Sequence, residues 1–284
     1  MHTQSVVAPT VELLAFGPQH LEGAVRLSQQ AEWPHRREDW RLALALSQGV
    51  VAVANGTQVI GTILMTPYRN DAATINMVIV DAAQRGRGLG RELMNAALDR
   101  AGSRPLRLIA TREGLPLYER LGFQAIGTVV QHQGEAPALA PPPDITPAEP
   151  GDIPALAALD RVAFGADRHA LIAHLAVLGP FMVRRRDGRI TGFAGLRAFG
   201  RGEVIGPVVA TDAEDARSLI TAAIAARPGR FVRVDTGSDT GLGPWLATLG
   251  MPAVGGGIVM QRPVIAAAPP AFVSTFALAN QALG

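Results

Sequence analysis

The sequence predicts a protein of the α/β class that consists of two tandem α+β lobes, each a mixed, twisted sheet flanked by helices. The chain has 284 residues, of which 48% are hydrophobic, and this is enough to bury two cores. A proline-rich stretch lies near the middle, and the two flanking halves present the same order of helix and strand patterns. Together these observations indicate a duplicated unit.

The proline-rich stretch separates the predicted lobes. It ends in three consecutive prolines at 141–143, which favour extended geometry and cannot lie inside a helix or a central strand. We therefore predict a first lobe over residues 1–133, a linker over 134–143, a second lobe over 144–263, and a tail over 264–284 that docks on the body.

Each half opens with two amphipathic segments, and a strand hairpin follows. The first hairpin is "VVAVANGTQVIGTIL" (50–64), which turns at Asn-Gly. The second is "FMVRRRDGRITGFAGL" (181–196), which turns at Asp-Gly. Both dipeptides suit a two-residue type I′ turn, because both central residues of that turn need φ > 0.

A further strand and an amphipathic helix follow each hairpin. The strands are "TINMVIV" (74–80) and "EVIGPVV" (203–209), and apolar residues at helical spacing come after each of them. The segments that complete each half are strands at 105–110 and 230–235, short helices at 116–123 and 244–251, and a last strand, "AIGTVVQ" or "GGGIVMQ". So many matched elements favour two copies of one unit over chance similarity.

The composition excludes several kinds of chemistry. All 26 basic residues are arginine, and the chain has neither lysine nor cysteine. It therefore has no Schiff-base lysine, no Walker-type lysine, no cysteine nucleophile and no disulfide. The pI of 9.8 is weak evidence for an acidic partner, because the formal charge is only +2 and almost nothing titrates between about pH 7 and 10. The basic segment "VRRRDGR" (183–189) lacks interleaved aromatics, so we expect a solvated strand edge and no nucleic-acid partner.

Location and metal binding are predicted from absent features. The start, "MHTQSVVAPTVELL", lacks the pattern of a signal peptide, and no apolar run reaches the roughly 18 residues that span a bilayer. We therefore expect a cytoplasmic protein without a membrane partner. His169 and His174 do not form a helical i, i+4 pair, and no metal site is predicted. The oligomeric state stays open, with a homodimer as one option.

The segment "DAAQRGRGLGREL" (81–93) is the first candidate site. Glycine lets the backbone approach a ligand closely, and successive N–H groups that lead into a helix N-terminus attract phosphate. Arg85, Arg87 and Arg91 add guanidinium groups, whose charge and paired N–H donors suit phosphate oxygens. The segment predicts a phosphate-binding loop, and a solvated turn with scattered arginines is the alternative.

Two motifs in the first half resemble the signatures of one family. Arg85-x-x-Gly88-x-Gly90, between an apolar strand and an amphipathic helix, resembles the acyl-CoA loop of the GNAT superfamily of N-acyltransferases. "LYERLGF" (117–123) resembles the second signature of that superfamily, and the order of elements is similar. The resemblance covers residues 10–132 and, as a degenerate copy, 144–262. Further details resemble a bacterial two-lobed subgroup that includes YitH-like proteins.

The resemblance implies acetyl-CoA as cosubstrate and a set of residues that bind it. Val78, Ile79 and Val80 would pair with the pantetheine arm as a strand does, and a backbone N–H near Val78 would stabilise the developing oxyanion. Tyr118 would protonate the departing thiolate as general acid, with a packing aromatic as the alternative. The pyrophosphate would bind the N–H groups of Arg85, Gly86, Arg87, Gly88, Leu89, Gly90 and Arg91.

The acceptor site and the general base are less defined. Glu32, Trp33, His35 and Asp39 are candidate acceptor-site residues because they lie between the first two helices, where the resemblance places the acceptor. The alternatives are ordinary helix-start chemistry for the polar residues and core packing for Trp33.

Two departures from the family pattern leave the base unassigned. Thr111 stands where many members have an asparagine, and the strand that often carries a glutamate base offers only Asn76.

These features predict an N-acetyltransferase that transfers an acetyl group directly from acetyl-CoA to an amine, either a small molecule or a peptide amine. The alternative is a non-catalytic acyl-CoA sensor or scaffold. The identity of the acceptor, the acyl-chain preference and the base stay open.

The second lobe is predicted to lack a CoA site. Its loop, "VATDAEDARSLI" (209–220), is shorter and has no glycine. Glu214 and Asp215 stand in the first helical turn, where they favour the helix dipole but repel a pyrophosphate. Leu246 stands at the position of Tyr118. We expect this lobe to stabilise the first one and to form one side of the acceptor cleft.

Overall fold

The computed structural model describes residues 10–264 and 271–284. Two predicted segments lie partly outside the described residues. They are the N-terminal segment predicted to lack a signal peptide, through residues 1–9, and the predicted tail, through residues 265–270. The chain forms two compact units. One comprises the described residues up to Met65 together with Met77–Gly102, and the other comprises Thr66–Asn76 and Ser103–Gly284.

The predicted helices and strands occur in the predicted order, and the predicted α/β class is confirmed. Three strands were not predicted, namely Val11–Ala15 and Ile145–Pro147, which open the two halves, and Ser274–Ala277 in the tail. The first half contains β1 (Val11–Ala15), α1 (Leu21–Gln30), α2 (Arg37–Ala45), β2 (Gln48–Ala54), β3 (Gln58–Tyr68), β4 (Ala72–Val80), α3 (Leu89–Ala101), β5 (Leu106–Ala110), α4 (Leu115–Arg120) and β6 (Gln124–Glu135). The second half contains β7 (Ile145–Pro147), α5 (Ile153–Phe164), α6 (His169–Leu178), β8 (Phe181–Arg186), β9 (Arg189–Phe199), β10 (Gly202–Ala210), α7 (Ala213–Ala225), β11 (Phe231–Gly237), α8 (Gly243–Thr248), β12 (Ala253–Arg262) and β13 (Ser274–Ala277).

The two hairpins differ in the length of their turns. In the second hairpin Arg186 pairs with Arg189, and Asp187 and Gly188 between them have φ of 50° and 72°, as a two-residue type I′ turn requires. In the first hairpin Ala54 pairs with Gln58, so its turn has three residues rather than the predicted two. Asn55 and Gly56 nevertheless have the predicted positive φ, 51° and 75°, and the N–H of Thr57 donates to Ala54 O at 3.2 Å. Both hairpins have a register shift further along the paired strands, so the shift does not explain the difference in turn length.

In the first unit, helix α3 packs on the antiparallel strands β1, β2 and β3. Leu93 and Met94 are fully buried on the inner face of α3. A Cβ at Gly61 of β3 would lie 2.9 Å from Leu93 Cδ1, so the glycine allows this close approach of helix and sheet. The packing fixes the position of the N-terminus of α3 and of the loop before it.

In the second unit, the last strand of each half pairs with strands of the other half. The order of strands is β4 (through Ala73 and Thr74), β5, β12, β6, β11, β13, β10, β9, β8 and β7. Strand β12 of the second half lies between β5 and β6 of the first, and β6 lies beside β11 of the second. The predicted boundary near residue 133 therefore describes the repeat in the sequence, whereas the compact unit contains parts of both halves. The position of the domain boundaries stays a prediction.

A buried ion pair lies between α5 and α6 of the second unit. Arg168 donates to both carboxylate oxygens of Asp160, at 2.6 and 2.8 Å, and both side chains are fully buried. The guanidinium also lies 3.7 Å from the centroid of the Phe164 ring. Arg168 Nη1 donates to the carbonyl oxygen of Leu283 at 3.3 Å, and the hydroxyl of Tyr68 donates to the same oxygen. This cluster joins strand β3, helices α5 and α6, and the last described segment.

Substitution of Asp160 by alanine is expected to lower the free energy of unfolding by about 3–5 kcal/mol, because it leaves the Arg168 charge buried without its carboxylate. Chemical denaturation measures the change. The matched control is Glu22→Ala, which breaks the exposed 2.6 Å pair with Arg37 and should change the free energy of unfolding by about 1 kcal/mol or less. Equal effects of the two substitutions would contradict the structural role of the buried pair.

Candidate functional site

The glycine-rich loop of the first unit has the backbone that a phosphate-binding loop needs. Asp81 directly follows β4. It caps a short 3-10 turn by accepting a hydrogen bond from the N–H of Ala83 at 2.9 Å. Gly86 and Gly88 follow with φ of 78° and 84°, which side chains other than glycine rarely adopt. Gly88 is the N-cap of α3.

The loop leaves a run of backbone donors free. The N–H of Arg85 donates to Ala82 O at 3.4 Å, and the N–H of Arg91 donates to Gly88 O at 2.9 Å. Within residues 10–264 and 271–284, the N–H groups from Gly86 to Gly90 donate no hydrogen bond. The predicted set of amide donors, Arg85 to Arg91, therefore narrows to these five at the positive end of the α3 dipole.

Three arginines surround these donors. Arg85, Arg87 and Arg91 are all exposed, and in the described part of the chain none of them forms an ion pair with a carboxylate. Arg87 donates only to the amide oxygen of Gln84, at 3.1 Å, and Arg85 contacts Val80 O at 3.4 Å. The side chains are thus available for an anionic ligand, and the arrangement suits two adjacent phosphate groups.

Strand β4 changes direction just before the loop. Met77 has a φ of 51°, a left-handed conformation that costs a residue other than glycine roughly 1–2 kcal/mol. The hydroxyl of Thr62 on β3 holds this kink by donating to Met77 O at 2.9 Å. Beyond it, Ile79 is buried, whereas Val78 and Val80 are partly exposed. The residues predicted to contact the pantetheine arm therefore follow the kink and keep the alternating exposure of a strand.

Two of the predicted acceptor-site residues form an aromatic cluster with the core of the first unit. His35 accepts from or donates to the hydroxyl of Ser28 at 3.2 Å, and Trp40 donates to the same hydroxyl at 3.0 Å. The ring of Trp33 lies edge-on to that of His35 at 5.6 Å between centroids. Trp40 is fully buried, whereas Trp33 and His35 are half-buried. Glu32 is exposed and has a φ of 59°.

Asp39 has a structural role in the same segment. Its carboxylate accepts from the N–H of Arg36 at 2.9 Å and from the Arg36 guanidinium at 2.8 and 3.1 Å. Asp39 is 6% exposed, and its hydrogen bond raises the pKa of Arg36. These contacts are those of a residue that caps α2, which was the alternative to its role in acceptor binding. Glu32, Trp33 and His35 stay the predicted acceptor-site residues.

Tyr118 lies on the short helix α4 of the second unit. Its ring packs edge-on against Phe123 at 6.1 Å, and the side chain is 8% exposed. Burial raises the pKa of Tyr118 to about 12, which keeps the phenol protonated near neutral pH. Gly114 packs against Tyr118 and was not predicted as a site residue, since a Cβ there would lie 2.9 Å from the Tyr118 ring and 3.5 Å from its hydroxyl. Its signal was a glycine one helical turn before the tyrosine.

The two residues that depart from the family pattern both bind the backbone or a hydroxyl. Thr111 starts α4, since its hydroxyl and its carbonyl accept from the N–H of Gly114 at 3.3 and 3.2 Å. Asn76 donates through Nδ2 to Thr66 Oγ1 at 2.9 Å. Its Oδ1 is buried and has no hydrogen-bond donor among the described residues. An amide does not accept a proton near neutral pH, so Asn76 is not the missing base.

The corresponding helix N-terminus in the second half is closed. Asp212 caps α7 by accepting from the N–H of Asp215 at 2.8 Å. The Asp215 carboxylate in turn binds both terminal nitrogens of Arg186, at 2.7 and 2.8 Å. Arg184 lies 3.2 Å from Asp215 and 2.6 Å from Asp144. The segment predicted as a solvated strand edge is a hairpin in which Arg184 and Arg186 pair with Asp215 and Arg185 pairs with Asp152, while Arg189 is exposed.

The predicted site residues divide between the two units. The acceptor candidates, β4 from Val78 to Val80, and the loop belong to the first unit, whereas Tyr118 and Thr111 belong to the second. Leu246, at the position of Tyr118 in the second half, is fully buried in the core of the second unit. Within the described ranges, no helix is both long and apolar enough to cross a membrane, and no group of acidic and histidine side chains has the arrangement of a metal site.

Comparison with known proteins identifies the family. A model described as the acetyltransferase (GNAT) family matches residues 18–123, and one described as an acetyltransferase (GNAT) domain matches residues 156–267. The Bacillus subtilis protein described as uncharacterized N-acetyltransferase YitH is 31% identical over 235 residues, which cover 80% of this chain and 83% of that protein.

Two solved structures share the fold. A putative acetyltransferase from Pyrococcus horikoshii has a TM-score of 0.81 and 18% identity, over 100% of this chain and 99% of that one. A tandem GNAT protein from the clavulanic acid biosynthesis pathway has a TM-score of 0.61 and 16% identity, over 89% of this chain and 98% of that one. The family resemblance found in the sequence is thereby confirmed. The chain belongs to the GNAT acetyltransferase family and is an acyltransferase with two GNAT domains.

Proposed function

We propose that this protein transfers an acetyl group from acetyl-CoA directly to an amine, and that its first GNAT domain holds the only acetyl-CoA site. The observation that carries the proposal is the run of free N–H groups from Gly86 to Gly90, bordered by three unpaired arginines. A pyrophosphate supplies the negative charge and the oxygens that these donors lack. The exposure of β4 supports the same assignment, because Val78 and Val80 are partly exposed directly before the loop.

Each group then has a defined task in the transfer. Backbone groups of Val78 to Val80 hold the pantetheine arm as a neighbouring strand would. The N–H near Val78 stabilises the oxyanion that forms when the amine nitrogen attacks the thioester carbon. When the carbon–sulfur bond breaks, Tyr118 donates its proton to the thiolate. The amine also loses one proton, which passes to a base that this sequence does not identify.

The acceptor is proposed to be an amine that contacts the segment between α1 and α2. His35 and Trp33 offer half-buried aromatic surface there, and Glu32 offers an exposed carboxylate. A protonated amine would be attracted to Glu32 and could lie against an aromatic face. We propose no nucleic acid or membrane as a partner of this site.

Charge reversal in the loop tests the acetyl-CoA site. Arg87→Glu should weaken acetyl-CoA binding about tenfold or more, since a hydrogen bond to a charged group contributes roughly 1.5–3 kcal/mol. Isothermal titration calorimetry at low salt measures the dissociation constant. Arg100→Glu is the control, because Arg100 is an exposed arginine in the last turn of the same helix and donates only to Ala96 O. Absence of binding to the natural sequence at near-millimolar acetyl-CoA would refute the proposal.

Removal of one hydroxyl tests the general acid. Tyr118→Phe should leave the dissociation constant of acetyl-CoA unchanged and slow turnover by about tenfold or more, because general acid catalysis typically contributes 10²–10⁴-fold. Tyr68→Phe is the control, since it removes the hydroxyl of the other tyrosine in the chain. Equal turnover of Tyr118→Phe and the natural sequence would reduce Tyr118 to a packing residue.

The pH dependence of turnover is an independent check on Tyr118. Its pKa is raised to about 12, so the acid form persists as the pH rises through the range where an ordinary tyrosine ionises. Turnover with saturating substrates should therefore show no loss from Tyr118 below about pH 11. A decrease with an apparent pKa near 10 that disappears in Tyr118→Phe would contradict the buried, protonated phenol.

A screen of amine acceptors, with release of free CoA as the signal, identifies the substrate class. Small amines, amino acids, antibiotics, and peptides with a free N-terminus or lysine form the panel. The chain has no lysine or cysteine of its own, so acetyl groups found on lysine belong to the added acceptor. Release that depends on one acceptor class supports the proposal, whereas tight binding of acetyl-CoA without release for any class would favour a sensor.

A further inference from the structure

The second GNAT domain contains a slot between two parallel strands, and a segment of the same chain fills it. Strands β10 and β11 pair directly only at Glu203–Val232 and Val204–Arg233. Beyond these pairs β13 lies between them, antiparallel to both. Its partners are Ala277 with Val208, Thr275 with Val209 and Ser274 with Ala210 on β10, and Ala277 with Thr236 on β11.

The slot has the same register as the proposed cofactor strand of the first domain. In the first domain, the parallel pairing of β4 with β5 is formed by Ala73–Leu106 and Thr74–Arg107. Counting along each strand from these pairs, Val78–Val80 of β4 correspond to Val208–Ala210 of β10. Strand β13 therefore bonds the backbone positions whose counterparts in the first domain are proposed to hold pantetheine.

We propose that the second domain has kept this slot as a binding site for an extended peptide strand, and that its ligand is segment 271–284 of the same chain. The correspondence with a cofactor slot rests on the function proposed above, whereas the pairing of β13 does not. A peptide strand offers N–H and C=O groups along its whole length, so it satisfies the edges of both strands more completely than a pantetheine arm.

Side chains and backbone of the second domain hold the segment by hydrogen bonds. Thr236 donates to Phe276 O of β13 at 2.6 Å, and Arg197 donates to Ala279 O at 3.0 Å. Asp235 binds the segment twice, since its backbone carbonyl accepts from the N–H of Leu278 at 2.8 Å and its carboxylate accepts from Gln281 at 2.9 Å. The same buried carboxylate accepts from Arg233 at 2.9 Å, so it links β11 to the segment.

Gly206 of β10 marks the closeness of the fit. A Cβ at this position would lie 1.9 Å from Leu278 O and 2.9 Å from Leu278 C, and both are backbone atoms. No side-chain rotation can relieve such a contact, so an alanine here would displace the segment. The absence of a side chain at Gly206 thus allows the close approach of the peptide segment. At the N-terminus of α7, Asp212 and Asp215 place carboxylates where a pyrophosphate would need hydrogen-bond donors.

Hydrogen–deuterium exchange of the full chain, followed by mass spectrometry, tests the proposal. In Gly206→Ala, amides of residues 274–283 should exchange about tenfold faster or more, because the displaced segment opens locally. Gly127→Ala is the matched control, since Gly127 is also a strand glycine and a Cβ there meets no atom within 4 Å. Gln281→Ala is a milder second variant that should raise the same rates severalfold. Unchanged rates in both tail-directed variants, or unprotected amides over 274–278 in the natural chain, would overturn the proposal.

Addition of acetyl-CoA separates this inference from the proposed function. Acetyl-CoA should slow exchange in residues 85–91 and leave residues 274–278 unchanged, with one molecule bound per chain. Faster exchange over 274–278, or two molecules bound, would mean that acetyl-CoA replaces the segment in the slot, and the inference would fail. If acetyl-CoA does not bind at all, the proposed function fails. The exchange rates of Gly206→Ala and Gln281→Ala then still decide whether the segment is the ligand of the slot.

Discussion

The rest of the structure depends on the exchange of strands between the two halves of the chain. Buried strands need hydrogen-bond partners on both edges, and in this protein β5 obtains one of its partners from the second half, whereas β6 pairs with β11 and β12. Neither half therefore completes its own sheet. This constraint gives a physical reason for the presence of the second domain, because its last strand β12 is a hydrogen-bond partner of β5. A domain can be required because its backbone supplies hydrogen bonds to its neighbour, whether or not it binds a ligand.

Local signals in the sequence predicted the elements, whereas pairing between distant strands could not be predicted. Both dipeptides adopt the positive φ values that a type I′ turn requires, 51° and 75° at residues 55–56 and 50° and 72° at residues 187–188. The two turns nevertheless differ by one residue in length, since Ala54 pairs with Gln58 rather than with Thr57, and the dipeptide does not specify which residues pair beyond it. Likewise, "AIGTVVQ" and "GGGIVMQ" are recognisable as strands, but apolar alternation does not specify which strand lies beside them. The pairing of β6 and β12 with strands of the other half is therefore determined by tertiary packing and not by the local sequence.

The candidate site shows the same division between local and distant information. The loop was predictable because free N–H groups and left-handed glycines are local consequences of its sequence. Asp39 was ambiguous, since a carboxylate at a helix start suits both capping and acceptor binding. The three hydrogen bonds from Arg36 favour capping. For Tyr118 the sequence identified the residue that carries the hydroxyl, but it did not predict the raised pKa. The pKa is raised by burial, and burial depends on how α4 packs in the fold. Acid strength at this position is therefore a property of the fold.

The N-termini of α3 and α7 show how one framework can serve opposite electrostatic purposes. Both helices present a positive dipole end after a strand of the same register. At α3, among the residues that the structure describes, the three loop arginines form no ion pair with a carboxylate and five N–H groups donate no hydrogen bond, so the local field favours an anion. At α7 the chain supplies its own anions, because Asp212 caps the helix and Asp215 neutralises Arg184 and Arg186 of the neighbouring hairpin. The charges at the N-terminus of α7 are thus satisfied within the chain, and the adjacent slot between β10 and β11 is filled by β13. Parts of the protein therefore occupy both ends of the region that corresponds to the proposed site of the first domain.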